Sequence, residues 1–284
     1  MTVSAYRGRI AIASAVVALA LTASACTSSS RSGSASSSMS NMSSGATSAG
    51  AADATGTASA ALRAALVQLF REHVDLTGFV VQTAVSTGIG SANTSKALDA
   101  LDGNTVAIGS AIESLYGSAA QTQFLSMWRA HIGFFVNYTK GLATKDNALV
   151  AQAQSQLAGY QQQFGAFLGS ATGLPAAAVS TDLQGHVQTL EAAIGAIVSG
   201  DPSAAAKLQM AAMHMDGTAD VLAASIAKQK SLAGSVDGMA SGLRAALTGL
   251  LLQHVAQTVA VVQTAAATGL TSAQTTAAVA APIR

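Results

Sequence analysis

Four histidines carry the arrangement in this 284-residue chain from which chemistry can be argued. Read at helical spacing, His73 recurs with Leu62, Leu66, Leu69, Leu76 and Val80, and His131 with Phe124, Trp128, Phe135 and Tyr138. His186 does so with Leu183, Leu190 and Ile197, while His214 flanks the stripe of Leu208, Met215, Leu222 and Ile226. The first three therefore lie on the apolar stripe of their own segment, where a core is expected. All four stand near the midpoints of segments of similar length. Antiparallel helices share the level of their midpoints, so the imidazoles are expected in one layer.

Three kinds of chemistry suit such a layer. Neutral imidazole binds Zn, Cu, Ni and Fe, and "MAAMHM" places Met210 and Met213 one turn and one residue before His214. Thioether with imidazole puts copper first, Cu(I) above all, and zinc second. Axial haem ligation needs histidine alone, and nothing else in the sequence argues for it. The third possibility is a buried hydrogen-bond layer, in which the rings satisfy one another and Asn104, Tyr138 or Tyr160.

Catalysis has less to draw on. There is no G-x-S-x-G elbow, no H-E-x-x-H and no phosphate-cradling glycine loop. Glu72 adjoins His73, but helix neighbours point apart, so Glu72 and Asp75 are expected in solvent. Glu72, Glu113 and Glu191 are the chain's glutamates, too few for a carboxylate-bridged di-iron centre. No catalytic residue is assigned.

The elements that must position these rings are helices. Apolar periodicity predicts them near 59–87, 95–116, 119–142, 147–169, 176–199, 203–229 and 242–270, with no sustained strand-like alternation. "NTS" before the second, "TKD" before the fourth, Pro175 in a first turn and Asp201 capping before Pro202 punctuate them. Short connections make neighbours antiparallel. The expected fold is all-α: an up-and-down antiparallel bundle of about six helices plus one extra C-terminal helix.

That extra helix comes from a repeat. Residues 62–92 match residues 243–273 at 18 of 31 positions without a gap, pairing His73 with His254. A weaker 55-residue repeat pairs His131 with His186 and Asp146 with Asp201. The domain is thus 59–230, a linker follows at 231–241, and 242–284 reads as a truncated second copy, the first helix of the repeat. Ala245 to Leu270 carries no charge and is long enough to span a bilayer. Gln253, His254, Gln257 and Gln263 sit mid-segment, however, which favours docking on the bundle or exchange for the first helix of a neighbour, a possible homo-oligomer through helix 242–270.

The N-terminus reads as an export signal. Arg7 and Arg9 precede an apolar run and "LTASAC", so residues 1–25 are expected to be removed. Cys26, the only cysteine, then takes the place of a lipid-modified residue, anchoring the protein to the outside of the cell membrane. "ASA" before it also fits an ordinary cleavage site, which would release a secreted protein. Residues 26–58 form a Ser/Gly/Ala-rich tether with too little apolar surface to fold. Removing Arg7 and Arg9 from 14 basic residues leaves 12 against 13 acidic ones, which gives nucleic acid nothing to bind.

"EHVDLTG", the run "LYGSAAQTQFLSMWRAHIGFFVNYTKGLATKD", "HVQTLEAAI", "AMHM" and "AIAKQ" together resemble a group of exported bacterial helical-bundle proteins of no established activity. The resemblance covers about residues 59–229 and implies a recurring exported helical domain, sometimes in tandem. His73, His131, His186 and His214 are its matching positions. The expected function is an exported, lipid-anchored bundle binding copper or zinc at the histidine layer, or else an envelope interaction protein whose histidines only satisfy the core.

Overall fold

The computed structural model describes residues 54–280; the expected signal peptide, Cys26 and most of the tether lie outside the described residues. These fold into helices α1 (Ala58–Thr87), α2 (Ala92–Tyr116), α3 (Ser118–Thr144), α4 (Asn147–Thr172), α5 (Ala176–Ser199), α6 (Ala204–Gln229), α7 (Met239–Thr268) and the short α8 (Ala273–Val279). No strand occurs among the described residues. The fold is an all-α bundle.

Side-chain caps set where several helices begin. Thr57, Ser91, Asp146 and Ser272 accept hydrogen bonds from the backbone N–H of Ala60, Thr94, Leu149 and Thr275, each relieving an orphan donor at a gain of about 1 kcal/mol. Three expectations shift here. Helix α2 starts at Ala92 behind the Ser91 cap rather than after "NTS", and Thr94 turns its hydroxyl back onto the Gly88 carbonyl at 2.8 Å. Pro175 is itself the N-cap of α5. Asp201 stands outside α6, whose N-cap is Ser203, and accepts from the Ser203 N–H at 2.8 Å.

The six helices α1 to α6 form a closed ring in which each packs on its chain neighbour and α6 returns to α1. Their inward stripes build one continuous core from Leu66, Phe70 and Val74 through Phe124, Trp128 and Phe135 to Leu157, Phe164, Leu190, Ile194 and Leu222. Two ion pairs lock the α1–α6 seam. Arg63 makes two bonds of 2.6 Å to the Asp220 carboxylate and reaches the Val236 carbonyl at 3.0 Å. About two turns further along α1, Arg71 grips both carboxylate oxygens of Asp216. The planar guanidinium suits such two-point contacts.

Both repeats are legible in the backbone. The α3–α4 corner has Lys145 in a left-handed conformation followed by an Asp146 N–H bonded to the Gly141 carbonyl. Fifty-five residues on, Gly200 and Asp201 repeat this against Ala196. The longer repeat reaches into a second helix. Thr87, Ser91, Thr94 and Gly88 form a hydroxyl network that Thr268, Ser272, Thr275 and Gly269 reproduce, so α8 is the start of an α2 equivalent.

Helix α7 lies parallel to α1 on the outside of the ring. Its start is pinned where α1 starts: Ser59 N–H donates to the Ala233 carbonyl, and Arg244 to the Thr55 carbonyl at 2.7 Å. Farther along, Arg71 donates to the Gly249 carbonyl at 3.2 Å. A Cβ at Gly249 would lie 3.1 Å from Arg71 Nε, so any larger residue there would push the guanidinium aside by a few tenths of an ångström. The docked face of α7 is the small one, Ser241, Ala245 and Gly249 with Gln253, all buried. Its large side chains face outward.

Candidate functional site

The expected layer forms in part. His73 on α1, His131 on α3 and His186 on α5 are each at most 5% exposed. Each is held there because its helix presents apolar residues one turn before and after it, so packing the stripe buries the imidazole with it. The ring centroids of His73 and His131 are 5.4 Å apart. Trp128 completes a triangle with them, 4.8 Å from His73 and 4.6 Å from His131. Tyr160 from α4 stacks on His131 at 4.7 Å and 14°.

The remaining expected residues are placed elsewhere. His214 leans over α5, where Gly185 leaves it room, and its Nε2 donates to the Asp182 carbonyl at 3.0 Å. Its ring centroid is 6.4 Å from that of His186. Met210 and Met213 are exposed on the outer side of α6 and take no part in the layer. The stripe of α6 passes through Met215, and positions one turn and one residue before His214 fall on its far side. Asn104 and Glu72 bond to each other at 3.1 Å instead of to a histidine. Asp75, expected in solvent, is half-buried beside Arg71. Burial pushes its carboxyl up to about 7, with Glu72 and Asp216 adding to the rise and Arg71 opposing it.

Burial makes the three core imidazoles neutral. It pulls His131 down to about 3 and His186 to about 4, with neighbouring histidine charge as the second cause, and holds His73 well below the ordinary imidazole value for the same reasons. The Trp128 carbonyl, one turn back, favours the His131 cation slightly but sits too loosely for a hydrogen bond. The Nδ1 atoms of His73, His131 and His186, Trp128 Nε1 and the Tyr160 hydroxyl have no hydrogen-bond partner. Five such atoms in one core is unusual, since buried polar groups are nearly always satisfied.

Two hollows meet at His131. The first, about 430 Å³ with its open mouth included, runs in between α1, α2 and α3 past Val81, Leu101 and Phe135 to His73 and His131. The second, about 320 Å³ on the same measure, lies beyond His131 against Trp128, Tyr160, His186 and Met215. The first has room for about one water-sized occupant, far less than a haem needs. Among the described residues no group of three or more His, Cys, Asp or Glu stands ready-made to hold a metal.

Reasoning from sequence missed that Trp128 packs its ring against both His73 and His131, although its place three residues before His131 on one stripe was visible. It also missed the Arg71–Asp216 and Arg63–Asp220 pairs, for which no local signal exists. No protein family, curated protein or solved structure compared with the chain matches it.

Proposed function

We propose that this is an exported bundle protein, lipid-anchored at Cys26, that takes up a single transition-metal ion between the buried imidazoles of His73 and His131, with His186 behind them. The observation that carries this reading is the set of three buried, neutral imidazoles whose Nδ1 atoms lack partners. Neutral imidazole is the ligating form. Two imidazoles sharing one ion, with metal–nitrogen bonds of about 2 Å, hold their centroids about 5 to 6 Å apart, and His73 and His131 are at 5.4 Å. With Met210 and Met213 outside, the thioether argument for copper lapses, and zinc and copper stand level.

Trp128 is the only tryptophan, so its emission reports on the site. Titrating metal-free protein with Zn(II), Cu(II) and Cu(I) is expected to change that emission up to one equivalent. The change disappears in His131→Leu and persists in His214→Ala and Met210→Ala. A flat titration of well-folded protein with all three ions rejects the metal.

The absence of a ready-made three-residue group among the described residues favours a second reading, an envelope bundle whose histidines serve packing alone. In that case His131→Leu raises stability, because an unsatisfied polar ring is exchanged for an apolar side chain.

A further inference from the structure

We infer that the outward face of α7 is a homodimer contact, on which a second copy of this chain lays its own α7 antiparallel. Leu243, Leu247, Leu250, Leu251, Val255, Val259 and Val262 are all exposed on one side of this helix, Leu251 at 67%. Their repeat equivalents on α1, among them Leu62, Leu66, Phe70, Val74 and Val81, are buried in the ring core. In sequence the face of α7 is therefore an interior face, and among the described residues nothing covers it. Seven side chains exposed by 43% to 67% amount to roughly 600 Å², most of the ~800 Å² per partner that a standard interface buries.

Exchange of α7 for the α1 of a neighbour does not fit. Position 252 is Leu where α1 has Arg71, so the exchanged ring would leave Asp216 without its guanidinium. Position 259 is Val where α1 has Gly78, and any Cβ at Gly78 runs into the Leu208 side chain. A lipid surface fits no better. The strip lacks the Trp, Tyr, Lys and Arg that anchor interfacial helices. Met239–Ala266 is long and apolar enough to cross a bilayer, but leaving α1 would strip Arg71 of its contact with the Gly249 carbonyl.

The order of side chains sets the direction of pairing. Leucine fills the first half of the strip and valine the second. Parallel pairing would set leucine on leucine and valine on valine, whereas antiparallel pairing about Leu251 sets Leu243 and Leu247 against Val259 and Val255. Large against small interdigitates. The contact is two-fold and self-complementary, as closed dimers require.

Sedimentation at micromolar concentration is expected to give a dimer, and Leu251→Asp a monomer of unchanged helicity, with association weakened by about a hundredfold or more. That residue faces solvent in the single copy, so its folding is not at stake. With Cys26 replaced by Ser, Leu251→Cys crosslinks two copies on mild oxidation by diamide. Leu243→Cys does so only when mixed with Val259→Cys. Crosslinking of Leu243→Cys with itself overturns the antiparallel arrangement, and a dimer that persists in Leu251→Asp overturns the face. Monomers throughout reject the proposal. So do monomers that float with phosphatidylcholine vesicles and lose this in Leu251→Asp, which would make the occupant lipid.

Discussion

Lowering the pH from 6.5 to 4.5 is expected to destabilise the bundle steeply, unfolding being accompanied there by a net uptake of about two protons. The unfolded chain protonates its histidines near 6.5, whereas the folded chain holds His131 neutral down to about 3, His186 down to about 4 and His73 lower than its ordinary value. Between these limits the unfolded state binds three more protons from these rings, so their contribution to stability is complete above 6.5 and falls as the pH drops. Asp75 works in the opposite sense. Its folded carboxyl stays protonated up to about 7 and its unfolded one does not, so its contribution is present in acid and fades as the pH rises toward 7. The difference, two protons, corresponds to about 3 kcal/mol per pH unit. A loss of about 4 kcal/mol by pH 5 is a large part of the 5–15 kcal/mol typical of a domain. Urea unfolding at a series of pH values checks this. Asp75→Asn is expected to steepen the acid limb to three protons, and His131→Leu to reduce it to one. A limb unchanged in both variants refutes the assignment.

Replacing Arg71 with the leucine that α7 carries at the equivalent position is expected to cost about 2 kcal/mol, or about 4–8 °C in Tm. The Arg71 side chain is 8% exposed and that of Asp216 30%. Breaking a fully buried pair costs about 3–5 kcal/mol, and the water that still reaches Asp216 lowers the figure. The same substitution removes the donor to the Gly249 carbonyl, so hydrogen exchange across residues 239–268 is expected to quicken more than exchange across α3 or α4. Arg71→Leu combined with Asp216→Leu is expected to regain most of the stability, because the stranded charge goes with its partner. It will not regain slow exchange in α7. Equal losses in the single and double variants would show that packing, not the stranded carboxylate, carries the cost.

The helices were readable because their signals are local. Periodicity gave all seven long spans to within a few residues, and Asp146 caps α4 where "TKD" placed it. Burial of His73, His131 and His186 followed from their stripes, since a helix that packs its Leu and Phe must pack what lies between them. His214 and the methionines failed because they depend on rotation about α6 by a fraction of a turn, which periodicity does not fix. The outward face of α7 was hidden by its own likeness to α1. The repeat shows that α7 must dock but not by which side, and small side chains at Ser241, Ala245 and Gly249 decide which face docks. Arg71–Asp216 joins residues 145 apart, and no spacing rule reports on such a pair.

Because α1 and α7 are twins that run side by side in the same direction, they stand as mirror walls of a terrace. A chain that carried a complete second domain onward from α7 would not string it out like a bead. Its ring would rise back to back with the first, sharing one seam along a common axis, and the angle between the two would be set by an alanine and a glycine rather than by a linker.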